Sequence, residues 1–305
     1  MIAEAAARAI GRPLVAPRRV GGGDVNDAWR LELDGGMRVF VKTRAGATPG
    51  EYATEAAGLR WLGEVEHGLP VPEVLAVRDV PAAVGPASGE AARADEPGFL
   101  ALAWIDEAAL DERAEEALGH GLAHVHAAGA PAFGAPPPGA PNAGLRLGDV
   151  ELPAATTGDW PAFYAQHRLE PLLRAAVDRG ALPSGGARAV EAVLGQLPEL
   201  AGPPERPARL HGDLWRGNVL VGDGRPHLID PAAHGGHREV DLAMLRLFGS
   251  PSRRMLAAYE EVQPLADGHE RRVPLWQLLP LLVHAVLFGG SYGASATRAA
   301  QQVAR

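Results

Sequence analysis

Cysteine is absent from all 305 residues, which excludes disulfides, thiolate metal sites and cysteine nucleophiles. Lysine is nearly absent: among 29 basic residues only Lys42 is a lysine, and every other one is arginine. There is no basic surplus either. A formal charge of -8 and a pI near 5.8 argue against a nucleic-acid partner, which calls for a basic face, and would suit a cationic substrate. Long hydrophobic runs are missing too. The most apolar stretch, "LWQLLPLLVHAVLF" (275–288), is too short to span a bilayer and is interrupted by Gln277, Pro280 and His284. It predicts a pair of buried helices and no membrane partner. The opening "MIAEAAARAIGRPL" has no basic start followed by an apolar run, so it predicts a short surface helix, no secretory signal and a cytoplasmic location.

What is present reads as an ordinary globular chain, 47% hydrophobic and 22% charged, long enough for one large core or two smaller lobes. The first hundred residues alternate as strands. "AWRLEL" and "RVFVKT" flank Asp34-Gly35-Gly36, a hairpin signal, and "EYATEAAGLRWLGEV" (51–65) has helical spacing. "PEVLAVRDV" and "GFLALAWID" are two further strands, separated by a Gly/Pro-rich loop at 81–98. From Asp106 onward helices dominate: "DERAEEALGHGLAHVHAAG", "DWPAFYAQHRLEPLLRAAVDRG" ending at Gly180, and "GARAVEAVLGQLPEL". "NVLVG" and "PHLID" then flank Asp223-Gly224 as a second hairpin. The expectation is an α+β, bilobal protein with a small β-rich N-lobe at 1–105 and a larger, mainly helical C-lobe at 106–305. No feature demands an oligomer; a monomer is expected, with a dimer left open.

Chemistry concentrates in "HGDLWRGNVLVGDGRPHLIDPAAHGGHREVDLAM", residues 211 to 244. Asp213 and Asn218 are five apart, the spacing of the base and the metal-binding amide in a kinase catalytic loop. Asp230, twelve residues further at a strand end, is where a second Mg²⁺ ligand is needed. Phosphoryl transfer asks for such a carboxylate, such ligands and positioned positive charge. Lys42 supplies that charge from the third strand, where a compact ammonium fits a crowded phosphate and a planar guanidinium does not. Glu55, on the next helix, is placed to pair with it. "GGGDVND" (21–27) could cover ATP phosphates through Gly22, Gly23 and Asp24, though a glycine-rich hairpin is equally a plain turn. His211 is expected to brace the loop backbone. His120, His124 and His126 share a helix, but no carboxylate motif accompanies them, so they read as solvated or core residues. Trp160, Phe163, Tyr164 and Arg168 could line the substrate cleft or equally be core.

With these residues in view the chain resembles the fructosamine kinases (ketosamine 3-kinases), relatives of the aminoglycoside phosphotransferases. "HGDLW-x-GN" followed by "IDPA…GHREVDLAM" is similar to that family's signature, and "GGGDVNDAWR", "FVK", "EAAGL", "LAHVH", "DWPAFYAQHRLEP" and "LFGGSYG" match other parts of it. The resemblance implies a protein-kinase-like fold and ATP- and Mg²⁺-dependent phosphorylation of the sugar 3-hydroxyl of a ketosamine, a fructosamine or ribulosamine, whose product breaks down and frees the amine. Carried onto this chain, it implies Asp213 as base, Asn218 and Asp230 as Mg²⁺ ligands, Lys42 with Glu55 as phosphate clamp, and Ala103, Trp104 and Ile105 as the adenine hinge. Trp215, His237, Arg238 and Glu239 would stand at the sugar pocket or its supporting shell, and Asp241 would hold the catalytic loop. The chain departs from the family pattern at His234-Gly235, where aromatic residues are common, and at Ala103, where an acidic one is. Two other readings share the Asp-Asn-Asp core: an aminoglycoside- or choline-type phosphotransferase, and a non-catalytic pseudokinase. Against the second stands the retention of the lysine, the base and both metal ligands.

Overall fold

The computed structural model describes residues 2–21, 27–80, 97–249 and 251–304. Gly22, Gly23 and Asp24, and all but the end of the loop predicted at 81–98, lie outside the described residues.

The chain starts with helix α1 (Ile2–Ile10) and strands β1 (Leu14–Val20), β2 (Asp27–Leu33) and β3 (Met37–Thr43). Helix α2 (Glu51–Gly63) follows, then strands β4 (Val74–Arg78) and β5 (Phe99–Ala103). The strands form one antiparallel sheet in the order β1-β2-β3-β5-β4. Two-residue periodicity sorts its faces. Leu31, Leu33, Val39, Val41 and Phe99 meet Ala3, Ala5 and Ala6 of α1, so the predicted surface helix in fact closes the outer face of the sheet. Leu100 and Leu102 point the other way, toward Tyr52, Ala56 and Leu59 of α2, and Lys42 stands opposite Leu100 on β5. β1 is an edge strand, mostly exposed, with Pro17, Arg18 and Arg19 discouraging a further partner.

Beyond the sheet come α3 (Glu112–Ala127), the small hairpin β6 (Leu145–Leu147) and β7 (Val150–Leu152), and α4 (Trp160–Tyr164). A π-helical turn over Ala165–Leu169 joins α4 to α5 (Glu170–Asp178), and α6 (Gly186–Leu194) and α7 (Leu197–Leu200) follow. The single helix predicted over 186–200 is therefore two, parted at Gly195 and Gln196. Strand β8 (Ala208–Leu210) leads to a 3₁₀ turn at Arg216–Asn218 and to the hairpin β9 (Val219–Gly222) and β10 (Arg225–Leu228). β11 (His234–Gly236) pairs back onto β8. Helices α8 (Glu239–Leu247), α9 (Arg253–Val262), α10 (His269–Phe288) and α11 (Ser291–Val303) complete the chain.

The helix pair expected at 275–288 is one continuous helix, α10, with Pro274 and Pro280 inside it. Pro280 has no N–H for the carbonyl of Trp276, four residues back. The Tyr164 hydroxyl supplies the missing donor, 3.2 Å from Trp276 O and 3.3 Å from Leu275 O. Leu275, Leu278, Leu279 and Leu282 of this helix meet Phe163, Leu169, Leu172 and Val190 in the largest core. Among the described residues no helix is long and apolar enough to cross a membrane.

Candidate active site

The sheet and the helical part enclose a cleft of about 870 Å³, and Lys42, Glu55, Asp213, Asn218 and Asp230 all line it. Lys42 comes from the middle of the sheet and Asp230 from 188 residues later, yet Nζ lies 2.8 Å from Asp230 Oδ1. On its other side Nζ is 2.5 Å from Glu55 Oε2 on α2. Burial alone would discourage the charge on Lys42, but the two carboxylates outweigh it and hold the ammonium protonated. One cation between two acids leaves this trio net negative. Burial, against the pull of Lys42 and with the nearby charge of Asp230, pushes the Glu55 carboxyl up to about 7. For Asp230 the Lys42 charge prevails over burial, and its carboxyl stays below the ordinary range.

Asp230 has φ of 51°, a left-handed conformation rare outside glycine, although the following Pro231 favours an extended backbone there. The surroundings hold it: Ile229 N–H donates to Asn218 O at 3.1 Å, and Lys42 grips the carboxylate. Such strain is characteristic of sites where a side chain must be aimed.

The loop carrying Asp213 is pinned from beneath. Gly212 has φ of 84°, and a Cβ there would fall 2.1 Å from Ala232 O, so conformation and space both require glycine. Asp241, at the start of α8 and fully buried, accepts from His211 N–H at 2.7 Å and from Gly212 N–H at 3.0 Å. His211 Nε2–H donates to Ile229 O at 2.9 Å, while its Nδ1 accepts from Asp213 N–H at 3.3 Å. Both ring nitrogens are engaged, so His211 braces and has no nitrogen free for proton exchange. Asp213 itself is pushed up by burial and by the charges of Asp230 and Asp241. Asn218 Nδ2 donates to Asp213 O at 2.8 Å and faces Asp213 Oδ2 at 3.4 Å, which leaves its amide oxygen for a cation. The Asp230 carboxylate and the Asn218 amide oxygen are hard oxygen donors of the kind that Mg²⁺ takes. The excess negative charge of the Lys42 trio fits the same ion.

The hinge residues Ala103, Trp104 and Ile105 also line the cleft. The N–H of Ala103 already donates to Glu73 O at 2.9 Å and that of Trp104 to Arg38 O at 3.2 Å. Trp215 lines the cleft with 39% of its surface exposed and stands edge-on to Phe248. His237, Arg238 and Glu239 were expected at the sugar pocket or its supporting shell, and they are not among the residues that line the cleft. Arg238 is held by Glu205 through two 2.8 Å bonds, Glu239 accepts from Arg272 and from Trp276 Nε1, and His237 stacks on Trp276. They knit α8 to the loop before β8 and to α10. Of the cluster at 160–168, Trp160, Phe163 and Tyr164 are core, and only Arg168 lines the cleft.

Sequence reasoning missed the second layer. His126 Nε2 lies 3.2 Å from Asp241 Oδ2, and its Nδ1 lies 2.8 Å from the Tyr259 hydroxyl. In sequence His126 is one of three similar helix histidines, yet it alone among them is buried, on the face of α3 that meets α9. The spacing "LAHVH" carried that signal, but only the packing of α9 assigns the partner. His120 and His124 show no metal arrangement: His120 meets Glu261, and His124 meets the His67 ring.

A strand lysine paired with a helix glutamate, and an Asp-Asn loop facing a strained Asp across one cleft, define a protein-kinase-like, ATP-dependent phosphotransferase. The chain belongs to the fructosamine kinase family, whose model matches residues 2–305. It is 37% identical over 271 residues to a protein of Thermus thermophilus named as a probable ketoamine kinase, covering 89% of this chain and 87% of that one. Over 308 residues it is 30% identical to one of the same designation from Synechocystis. A crystal structure from Thermobifida fusca, assigned by name as a fructosamine-3-kinase, superposes with a TM-score of 0.86 at 42% identity, covering 99% of this chain and 98% of that one. An aminoglycoside phosphotransferase solved with ADP and hygromycin B shares the fold, with a TM-score of 0.65 at 15% identity over 100% of this chain and 98% of that one.

Proposed function

We propose that the protein phosphorylates the 3-hydroxyl of a ketosamine sugar with Mg·ATP in the cytoplasm, and so initiates removal of the sugar from the amine. The observation that carries this reading is the meeting of Lys42, Glu55 and Asp230 beside the Asp213 loop, in a chain of this family. The N-lobe at 1–105 would hold ATP, with adenine at the Ile105 end of the hinge, since the amides of Ala103 and Trp104 are engaged. The C-lobe at 106–305 would hold the acceptor. Asn218 and Asp230 would hold Mg²⁺, which supplies charge neutralisation at the β and γ phosphate oxygens.

Asp213, its carboxyl partly desolvated, takes the proton of the acceptor hydroxyl as that oxygen bonds to the γ-phosphorus and ADP leaves. Lys42, held by Glu55, places its ammonium on the phosphates; its bond to Asp230 is the contact exchanged when nucleotide arrives. A phosphate on C3 leaves far more readily than a hydroxyl. Enolisation of the C2 carbonyl toward C1 expels it, and water then releases the amine.

The test is ADP release by the purified protein with Mg·ATP and a ribulosamine, a fructosamine or an aminoglycoside, with the phosphorylated carbon assigned by NMR. Turnover of a ketosamine with phosphate at C3 is expected. Turnover of the aminoglycoside alone would leave the cleft chemistry standing and remove the acceptor.

A further inference from the structure

Arg168 is a buried cation, 2% exposed, in the wall of the same cleft, and no carboxylate among the described residues pairs with it. Its Nη1 donates to two neutral carbonyls, Pro153 O at 3.2 Å and His167 O at 2.8 Å. Its Nε is buried with no partner. The guanidinium lies over the Phe163 ring, 4.5 Å from its centre, which fixes its plane without neutralising its charge. Among the described residues, the titratable groups that interact with it, Tyr164 and His234, offer no counter-charge. Tyr164 is buried and stays a neutral phenol, and His234, which also lines the cleft, is driven by burial and by Arg168 to about 4 and stays neutral. His234 Nδ1–H donates to Ala232 O at 2.8 Å.

A desolvated, unpaired guanidinium is unfavourable unless a ligand completes it. Its place in the chain says which ligand. Arg168 sits on the π-helical turn, an irregularity that recurs at functional sites, and its hydrogen bonds and ring contact among the described residues are all to residues 153–167. These partners place it in the acceptor's half of the cleft. With Nη1 engaged, the edge formed by Nε and Nη2 remains, a planar fork that matches the two oxygens of a carboxylate.

We infer that Arg168 is the receptor for a carboxylate on the amine half of the acceptor, so that the preferred substrates are ketoamines of free amino acids. An amino acid within a protein chain has its carboxylate locked in a peptide bond and cannot satisfy this fork. The inference rests on the kinase reading above and narrows it.

The experiment compares ketoamines of glycine and of glycinamide carrying the same sugar. For the wild type, kcat/KM is expected to be at least about tenfold higher with the acid, mainly through KM. In Arg168→Met that ratio collapses toward one, and in Arg168→Lys, which keeps the charge and loses the fork, it is intermediate. Equal kcat/KM for the two acceptors in the wild type overturns the inference without any variant. So does an Arg168→Met enzyme that loses activity on both equally, which would place the guanidinium on the transferring phosphoryl group. Should neither adduct turn over, the proposed function falls by itself. Calorimetric titration of the two adducts in the presence of Mg·ADP then still reads the subsite: tenfold tighter binding of the acid upholds it, and equal or undetectable binding overturns it.

Discussion

Lys42 shows what a single side chain can decide. The ammonium sits between Glu55 and Asp230 at 2.5 and 2.8 Å, a space a guanidinium fills only by displacing one of them. Lys42→Arg is expected to fold with an unchanged circular dichroism spectrum and to lose at least about tenfold in turnover, measured as ADP release. Asp213 gives a second prediction, with opposite signs for stability and activity. Its folded-state pKa is raised, so the acid form is favoured by folding below the ordinary carboxylate range, and that contribution disappears as pH rises through the raised value. At neutral pH the ionised, half-buried carboxylate is therefore a destabilising group. Asp213→Asn is expected to keep or raise the melting temperature at pH 7, with the difference from wild type vanishing below the ordinary pKa of Asp. Turnover should fall by about 100-fold or more. A variant that melts lower at pH 7 would contradict the desolvation argument, and one that keeps turnover would remove Asp213 as base.

At the level of elements, the sheet strands and the amphipathic helices were readable because their periodicity is local. Lys42 could be placed on a third strand, and Asp223-Gly224 at a hairpin tip, from two-residue alternation and turn chemistry alone. α10 was not readable as one helix, because Pro280 signals a break wherever its freed carbonyl lacks a donor. The donor, Tyr164, lies more than 110 residues away in sequence. Tyr164→Phe is expected to leave Trp276 O unpaired in the core and to cost about 1–2 kcal/mol, a drop of about 2–6 °C in melting temperature. No drop would mean that α10 tolerates the proline by another route. The pinning of the catalytic loop was equally hidden. Asp241 was readable as its holder, but the His126 and Tyr259 groups behind it depend on α3 meeting α9.

Over the whole molecule, the two parts meet around a cleft lined by six acids and four bases. The helical part also reaches over the sheet side: Asp149, in the turn between β6 and β7, lies 2.6 Å from Arg44, and Asn142 Nδ2 donates to Pro49 O at 3.0 Å. An acidic cleft in a chain of charge -8 repels free ATP and welcomes it with a cation. Mg·ATP at about 100 times its Kd is expected to stabilise the fold by about 2.7 kcal/mol, seen as a rise of several degrees in melting temperature. ATP with a chelator should give a clearly smaller rise. Equal shifts in the two conditions would remove Asn218 and Asp230 as holders of the ion.

By itself, the sequence determined which chemistry the chain could carry. Strand and helix periods, the five-residue step from Asp213 to Asn218 and the lone lysine are properties of neighbours along the chain, and they specified the small sheet, the helical remainder and the candidate reacting groups. Tertiary structure decided which side chains face the cleft. It withdrew His237, Arg238 and Glu239 into the interior, where Glu205 pairs with Arg238 and Arg272 with Glu239, and left Arg168 at the wall with no carboxylate among the described residues to neutralise it. The physical reason is the same for both outcomes: whether a buried charge is paired depends on residues brought together from distant segments, and no local period records that.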